Sequence, residues 1–235
     1  MISMRIFFAA AVWAGILAAQ APESADPAPD TSAMPLRQFS PTWDDKHIFG
    51  VVPNYATVES PEHIYSPITA GEKFKIAAHD SFDPFNWALT GIYAAVYQKE
   101  NEYAFGQGAQ GYAKRYGATF ADGAISTYLS EGILPVLLHE DPRYFRLGSG
   151  SKWHRAGYAM SRVLVTRTDG GAWRFNNSEI EGNMIAAGLS NLYYPSVNRG
   201  LGMTAEKFAI NVISDAGFNV LKEFWPDMRR KVLHR

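Results

Sequence analysis

Small residues recur every four positions in the stretch from Gly106 to Arg146, at Ala109, Ala113, Gly117 and Ala121. No other feature of the chain limits its fold as much. On a helix this spacing makes one smooth face, along which a second backbone can approach closely. Phe120, Ile125, Leu129 and Ile133 fall on adjoining faces. Lys114, Arg115, Asp122 and Glu131 interrupt the pattern, so no run reaches the roughly 18 apolar residues of a membrane span. The reading is a buried central helix over 108–134, surrounded by other helices. Glycine costs about 1 kcal/mol against alanine in a helix interior, so Gly117 and Gly123 require a packing reason. Pro135 is expected to kink or stop this helix, and Asp141-Pro142 to cap and start a new turn.

The N-terminus has a targeting pattern. Arg5 precedes the apolar run IFFAAAVWAGILAA, and small residues follow from Ala18 to Ala21. This reads as a signal peptide over 1–20, with an uncleaved anchor as the alternative. Either way the protein is expected to be exported, to the periplasm or an envelope surface. The chain has no cysteine, which excludes disulfides, thiolate metal sites, a cysteine nucleophile and an N-terminal lipidated cysteine. Its formal charge of -1 and lack of a dominant basic face argue against a nucleic-acid partner.

Eight of the thirteen prolines lie between Pro22 and Pro67, so regular structure is not expected before about Ile68. Residues 21–46 read as a disordered Pro/Ala-rich tether. Residues 47–68 read as an extended arm lying on the domain, a short edge strand being the lesser expectation. The helical domain then covers 69–235. Thr69 and Glu72 form a capping box, and Asp83-Pro84 opens a second helix running to about Glu100. Ser151 caps a helix expected to continue to about Thr166 and then give way to a loop. A hairpin turning at Asp169-Gly170-Gly171 is the alternative. Asn176 with Glu179 is another capping box, although Asn176-Asn177-Ser178 also matches a glycosylation sequon. The helix after it repeats the small-residue theme with Gly182, Ala186, Ala187 and Ser190. The last helix is expected to open at Thr204 and to be interrupted at Pro226. The fold class is therefore all-α, a single domain of about six helices.

Among residues able to do chemistry, His139, Glu140 and Arg143 stand closest together in the sequence. A histidine beside carboxylates and an arginine has the parts for acid/base work or anion binding. Neighbours in sequence point apart on a helix, however, and a polar helix end explains the same residues. His79, Asp80 and Asp83 could join His139 and Glu140 as metal ligands, but the spacing matches no metal signature. Capping and surface polarity explain them, and no metal or cofactor is expected. Arg115, Asp122, Glu131, Arg155, Arg162, Glu181 and Asp215 fall within packed helical segments and are expected to pair across helices. No serine sits in a GxSxG elbow, and GQGAQG lacks the strand and lysine-serine ending of a phosphate loop. At the C-terminus, Lys222, Arg229, Arg230, Lys231 and Arg235 alternate with Trp225, Met228, Val232 and Leu233, a composition suited to an anionic membrane surface.

The strings VVPNYATV, DPFNWAL, GQGAQGYAKRYGA, LPVLLHEDPRYFR, VTRTDGG, NNSEIEGN, AAGLSNLYYP and LKEFWPDMRRK resemble an uncharacterised family of exported bacterial proteins with a signal peptide and a proline-rich leader. The likeness covers most of the chain from about residue 48. It implies export and one domain; it assigns no activity, cofactor or site residue. Three functions follow as expectations. The first is a non-catalytic envelope protein binding a membrane surface or another envelope component. The second is a hydrolase using His139 and Glu140, and the third a helical carrier of a lipid or other apolar ligand.

Overall fold

The computed structural model describes residues 47–48, 52–58 and 65–233. The expected signal peptide, the tether, part of the arm, the side chain of Lys231 and all of Arg235 lie outside the described residues.

Capping chemistry sets where the helices begin. Helix α1 (Ala70–Phe82) starts at the Thr69 capping box: the Thr69 hydroxyl accepts from Glu72 N at 3.3 Å, and the Glu72 carboxylate accepts from Thr69 N at 2.7 Å. Asp83 closes α1 and opens α2 (Pro84–Lys99), where its Oδ1 accepts from Phe85 N at 2.8 Å. The same carboxylate anchors the arm, with His47 Nε2 at 2.9 Å and the Tyr55 hydroxyl donating at 2.8 Å. Ser151 caps α5 (Lys152–Ser161) and Asn176 caps α6 (Asn177–Leu189). One rod lies at the centre, made of α3 (Gly108–Thr127), a π-helical stretch (Tyr128–Ile133) and α4 (Leu134–Leu138). The last helix is α7 (Leu201–Leu233). With the rod counted once, six helical bodies carry most of the described chain.

The domain is mostly helical but not strictly all-α. In the arm, β1 (His47–Ile48) pairs antiparallel with β2 (Val52–Pro53). Next in the chain, β3 (Thr57–Val58) runs parallel to β5 (Tyr144–Phe145). A three-stranded sheet joins β4 (Glu140–Asp141), β6 (Val165–Thr168) and β7 (Trp173–Phe175). Helix α5 thus stops at Ser161, well short of Thr166, and the hairpin forms with Gly171 at φ +85°. The run Val-Thr-Arg-Thr, three of four residues β-branched, favours strand over another helical turn. Asp141 starts no turn of helix; it lies in β4, and its Oδ1 accepts from Arg143 N at 3.0 Å.

The four-residue spacing of small residues does not mark the rod's packed face. Ala109, Ala113 and Gly117 are exposed, and a Cβ added at Gly117 or Gly123 would meet nothing within 4 Å. The buried face is instead Gly111, Arg115, Ala118 and Ser126. Arg115 is buried because it gathers the loop before the rod, donating to Glu102 O and Tyr103 O at 2.8 Å each and to Gly106 O at 2.5 Å. Gly111 is the close approach here, since a Cβ would lie 2.2 Å from Gly106 O. Pro135 does not stop the rod, which continues to Leu138 and ends at His139 with φ +55°. Coming straight after the π stretch, the proline stands in the first turn of α4, where its missing N–H is tolerated. Helix α7 begins at Leu201 rather than Thr204 and passes through Pro226 without ending.

The distribution of polarity is inverted. The largest side chains with under 2% exposure include Arg115, Glu140, Glu223, Asn183 and Asp141. Meanwhile Leu201 is 90% exposed, Trp153 89% and Leu192 75%. An apolar core cluster among the described residues is small and aromatic, built on Tyr103, Ala118 and Tyr194. Among the described residues, no helix is long and apolar enough to cross a membrane.

Candidate functional site

The expected acid/base trio does not converge. His139 is 81% exposed at the end of the rod, and its nearest ionic neighbour is Asp169 at 3.7 Å. Glu140 is buried, and caps α6: it accepts from Ser178 N at 2.8 Å, Ser178 Oγ at 2.6 Å and Asn177 Nδ2 at 3.0 Å, with Arg174 at 3.2 Å. Arg143 forks the buried Asp141 carboxylate, with Nη2 to Oδ2 at 2.6 Å and Nε to Oδ1 at 2.9 Å, and reaches Ser66 O at 2.6 Å. Glu140 and Arg143 are spent on structure, while the His139 ring stands in solvent. His79, Asp80 and Asp83 do not form a metal cradle either; among the described residues no three His, Asp or Glu side chains converge that way.

Inside the bundle, acids from four elements stand in two pairs: Asp80 of α1 with Glu131 of the π stretch, and Glu179 of α6 with Asp215 of α7. Glycines let them approach. A Cβ on Gly132 would lie 3.2 Å from the Phe74 ring, where α1 crosses, and one on Gly182 would lie 2.9 Å from the Ser130 backbone, where α6 crosses. Glu131 sits between these crossings. Asp80 lies one turn beyond Ala77, which the same Cβ on Gly132 would meet at 3.5 Å, and Glu179 lies one turn before Gly182. π-Helical turns concentrate at functional sites, because the extra residue displaces a side chain that an α-helix would hold in register.

Within each pair the two carboxyls lie close enough to act on one another. Burial pushes Glu131 and Glu179 well above the ordinary carboxyl range, and the neighbouring acid, Asp80 or Asp215, raises each further. Asp80 and Asp215 are raised by burial too, while Lys222 pulls them down. Two carboxyls this close in a low-dielectric site share a proton rather than ionise together. The atoms fit that state, since neither Asp80 Oδ1 nor Glu131 Oε2 receives an N–H or O–H donor from another side chain. Asn183 steadies the second pair, donating to Glu179 Oε1 at 3.0 Å and Asp215 Oδ2 at 3.3 Å, and its own oxygen accepts from Ser126 Oγ.

Lys222 therefore belongs to the interior, not to a surface patch. It lines the same cavity as Glu131, Glu179 and Asp215, and among the described residues it closes no ion pair with any of them. Of the other C-terminal cations, Arg230 is exposed and pairs with Asp227 at 2.5 Å. Trp225, expected among the surface apolar groups, is buried.

The cavity occupies about 190 Å³ between the rod, α6, α7 and the β5–β6 region. A second cavity of about 230 Å³ adjoins it, ringed by Tyr93, Tyr97, Tyr103, Tyr194, Phe120 and Leu89. At its wall Asp122 accepts from Lys207 Nζ at 2.9 Å and from the hydroxyls of Tyr193 and Tyr194 at 2.5 and 2.7 Å. The expected pairing across helices thus holds for Asp122 with Lys207 and for Arg155 with Glu223, at 2.7 Å. It fails for Arg115, which takes backbone carbonyls, and for Glu181, which is exposed. Arg162 stacks on Tyr158 and Trp173 instead, at 4.4 and 4.6 Å. No known family model matches the chain, and neither a curated protein nor a solved structure matches it.

Proposed function

We propose that the protein is an exported, non-catalytic component of the cell envelope that lies against a membrane surface. The inverted distribution of polarity carries this reading. Apolar side chains stand outward on Trp87, Ile92 and Val96 of α2, Leu137 of α4, Met184 and Ile185 of α6, and Leu201 of α7. These side chains are carried by four helical elements, and large exposed apolar groups are what a membrane or partner surface takes up. Charge plays the smaller part, because Lys222 faces inward and Arg230 is paired.

Flotation with phosphatidylglycerol vesicles and with phosphatidylcholine vesicles tests the reading. The mature protein should float with both and stay bound at high salt. Leu192→Asp combined with Leu201→Asp should weaken binding without changing the melt. Protein that remains in the aqueous fraction with every lipid sinks the proposal, as does stoichiometric capture by one envelope protein in place of lipid.

A second reading, acid–base catalysis inside the cavity, is favoured by the proton-sharing pairs. A carboxyl held neutral by burial can serve as a general acid near neutral pH. Hydrolytic activity that disappears in Glu131→Gln while the fold is kept would favour this reading over the first.

A further inference from the structure

The cavity between the rod, α6 and α7 has a wall whose chemistry selects a class of ligand. Ser126, Ser130, Asn183, Asn211, Ser214 and Asn219 line it. Hydroxyls and carboxamides both donate and accept, so the wall presents hydrogen-bonding capacity of both signs. Its charges are mixed: Glu131, Glu179 and Asp215 are set against Lys222 and Arg162. An anion entering the space meets the acids, and a cation meets the lysine and the guanidinium. No metal cradle exists among the described residues. Phe218 and Trp173 add apolar surface, and Trp173, 45% exposed, stands at the rim beside the β6–β7 hairpin. Stacking against Arg162 and Arg167, at 4.6 and 4.5 Å, fixes that ring.

We propose that this cavity is a binding site for a neutral polyhydroxylated ligand, a saccharide unit, entering beside Trp173. One unmet demand inside the cavity points to such an occupant independently of the wall composition. Lys222 lines it beside Glu131, Glu179 and Asp215 and closes no ion pair with them. A hydroxyl can accept from the ammonium and donate to a carboxamide or carboxyl oxygen of the wall at once, which a purely anionic or purely cationic group cannot. At about 190 Å³ the space is many times the 10–15 Å³ or so that one water needs. A sugar ring also offers C–H faces to Phe218 and the rim indole, matching a pocket that is part aromatic and part polar. The inference rests on the cavity alone; it requires neither the membrane reading nor catalysis.

Isothermal titration of the full-length mature protein with glucose, N-acetylglucosamine, maltose and myo-inositol tests it, with glucosamine and glucose 6-phosphate as charged comparators. Intrinsic tryptophan emission is read in parallel. At least one neutral probe should bind saturably and more tightly than either comparator, with a change in indole emission. Lys222→Met and Asn211→Ala should each weaken that binding at least about tenfold. Trp173→Ala, at the rim, serves as the variant least able to disturb the fold. Thermal melts establish which variants remain folded. Failure of every neutral probe to saturate overturns the proposal, as does tighter binding of a charged comparator. So does unchanged affinity in all folded variants.

Discussion

Glu223 and Glu131 are both carboxylates carried into the interior by helices, and they end in opposite circumstances. Glu223 is saturated: it accepts from the Tyr144 hydroxyl at 2.7 Å, Leu147 N at 3.0 Å, Gly148 N at 2.9 Å and Arg155 Nε at 2.7 Å. Arg155 goes on to Asp227 at 2.5 Å and to Glu223 O at 2.8 Å. Glu131 faces another acid, with one oxygen lacking an external donor and a lysine nearby that does not reach it. A saturated charge fixes a loop to a helix and leaves nothing over for a ligand. A charge that must borrow a proton, beside open space, keeps its chemistry available.

The sharpest way to break this comparison is Glu223→Ala. It strands the Arg155 guanidinium in a buried site, and breaking a buried pair from one side costs about 3–5 kcal/mol. Urea denaturation should register that loss, and a loss below about 1 kcal/mol would mean that water substitutes freely for Glu223. Gly182→Ala comes next. The new methyl meets the Ser130 backbone at 2.9 Å, and overpacking of this kind costs about 1–3 kcal/mol. An unchanged melt would show that α6 can step back from the π stretch.

The pH dependence separates the two kinds of acid. Glu131 and Glu179 have folded-state pKa values raised above the ordinary 4.5, so the folded protein keeps protons that the unfolded chain releases. Their contribution is full below that value and is lost as pH rises through the raised pKa. Asp83 and Asp227 are lowered from 3.8, Asp83 by its hydrogen bonds from His47 and Phe85 N, Asp227 by those from Arg155 and Arg230; their contribution is lost as pH falls. Stability should therefore peak in mildly acid solution. The double variant Glu131→Gln with Glu179→Gln should flatten only the alkaline side of a denaturation series across pH. A slope unchanged on that side would mean that the pairs ionise freely.

Smaller effects complete the comparison. Gly117→Ala should stabilise by up to about 1 kcal/mol through helix propensity, because nothing opposes a side chain there. His139→Ala should stay within about 0.5 kcal/mol, as for other surface positions.

Four helix starts were legible because a cap is decided within three residues of itself: Thr69 with Glu72, Asp83-Pro84, Ser151 and Asn176 all sit where their side chains place them, whereas α7 starts three residues before the expected Thr204. Small-residue spacing was only half legible. It marks a face but not what lies opposite, so it identified a true crossing at Gly182 and an exposed face at Gly117. Glu131 and Asp215 could be singled out as charges within packed helices. Their convergence with Asp80 and Glu179 could not, because it depends on crossings spread over more than a hundred residues. Lys222 read as the first cation of a basic tail, since nothing local shows which side of α7 turns inward. His139, Glu140 and Arg143 misled through adjacency: at the end of a rod followed by a strand, consecutive side chains point to different neighbours.

The π stretch has a consequence for how the chain can change length. An α-turn closes its hydrogen bond over four residues and a π turn over five, so the wide turns over Tyr128–Ile133 take up an extra residue in nearly the same rotation. Lys73 Nζ, which reaches Pro135 O at 3.1 Å, reads the phase on the far side, and Glu131 stands in the wide turn itself. Deleting one residue in this stretch would let it relax to ordinary α-helix while everything after it stays in phase. Pro135 would keep Lys73, and the side chains of the stretch, Glu131 among them, would change neighbours. The wide turns are therefore a place where the rod can lose a residue and keep both of its ends, at the cost of the acid that the extra residue holds in place.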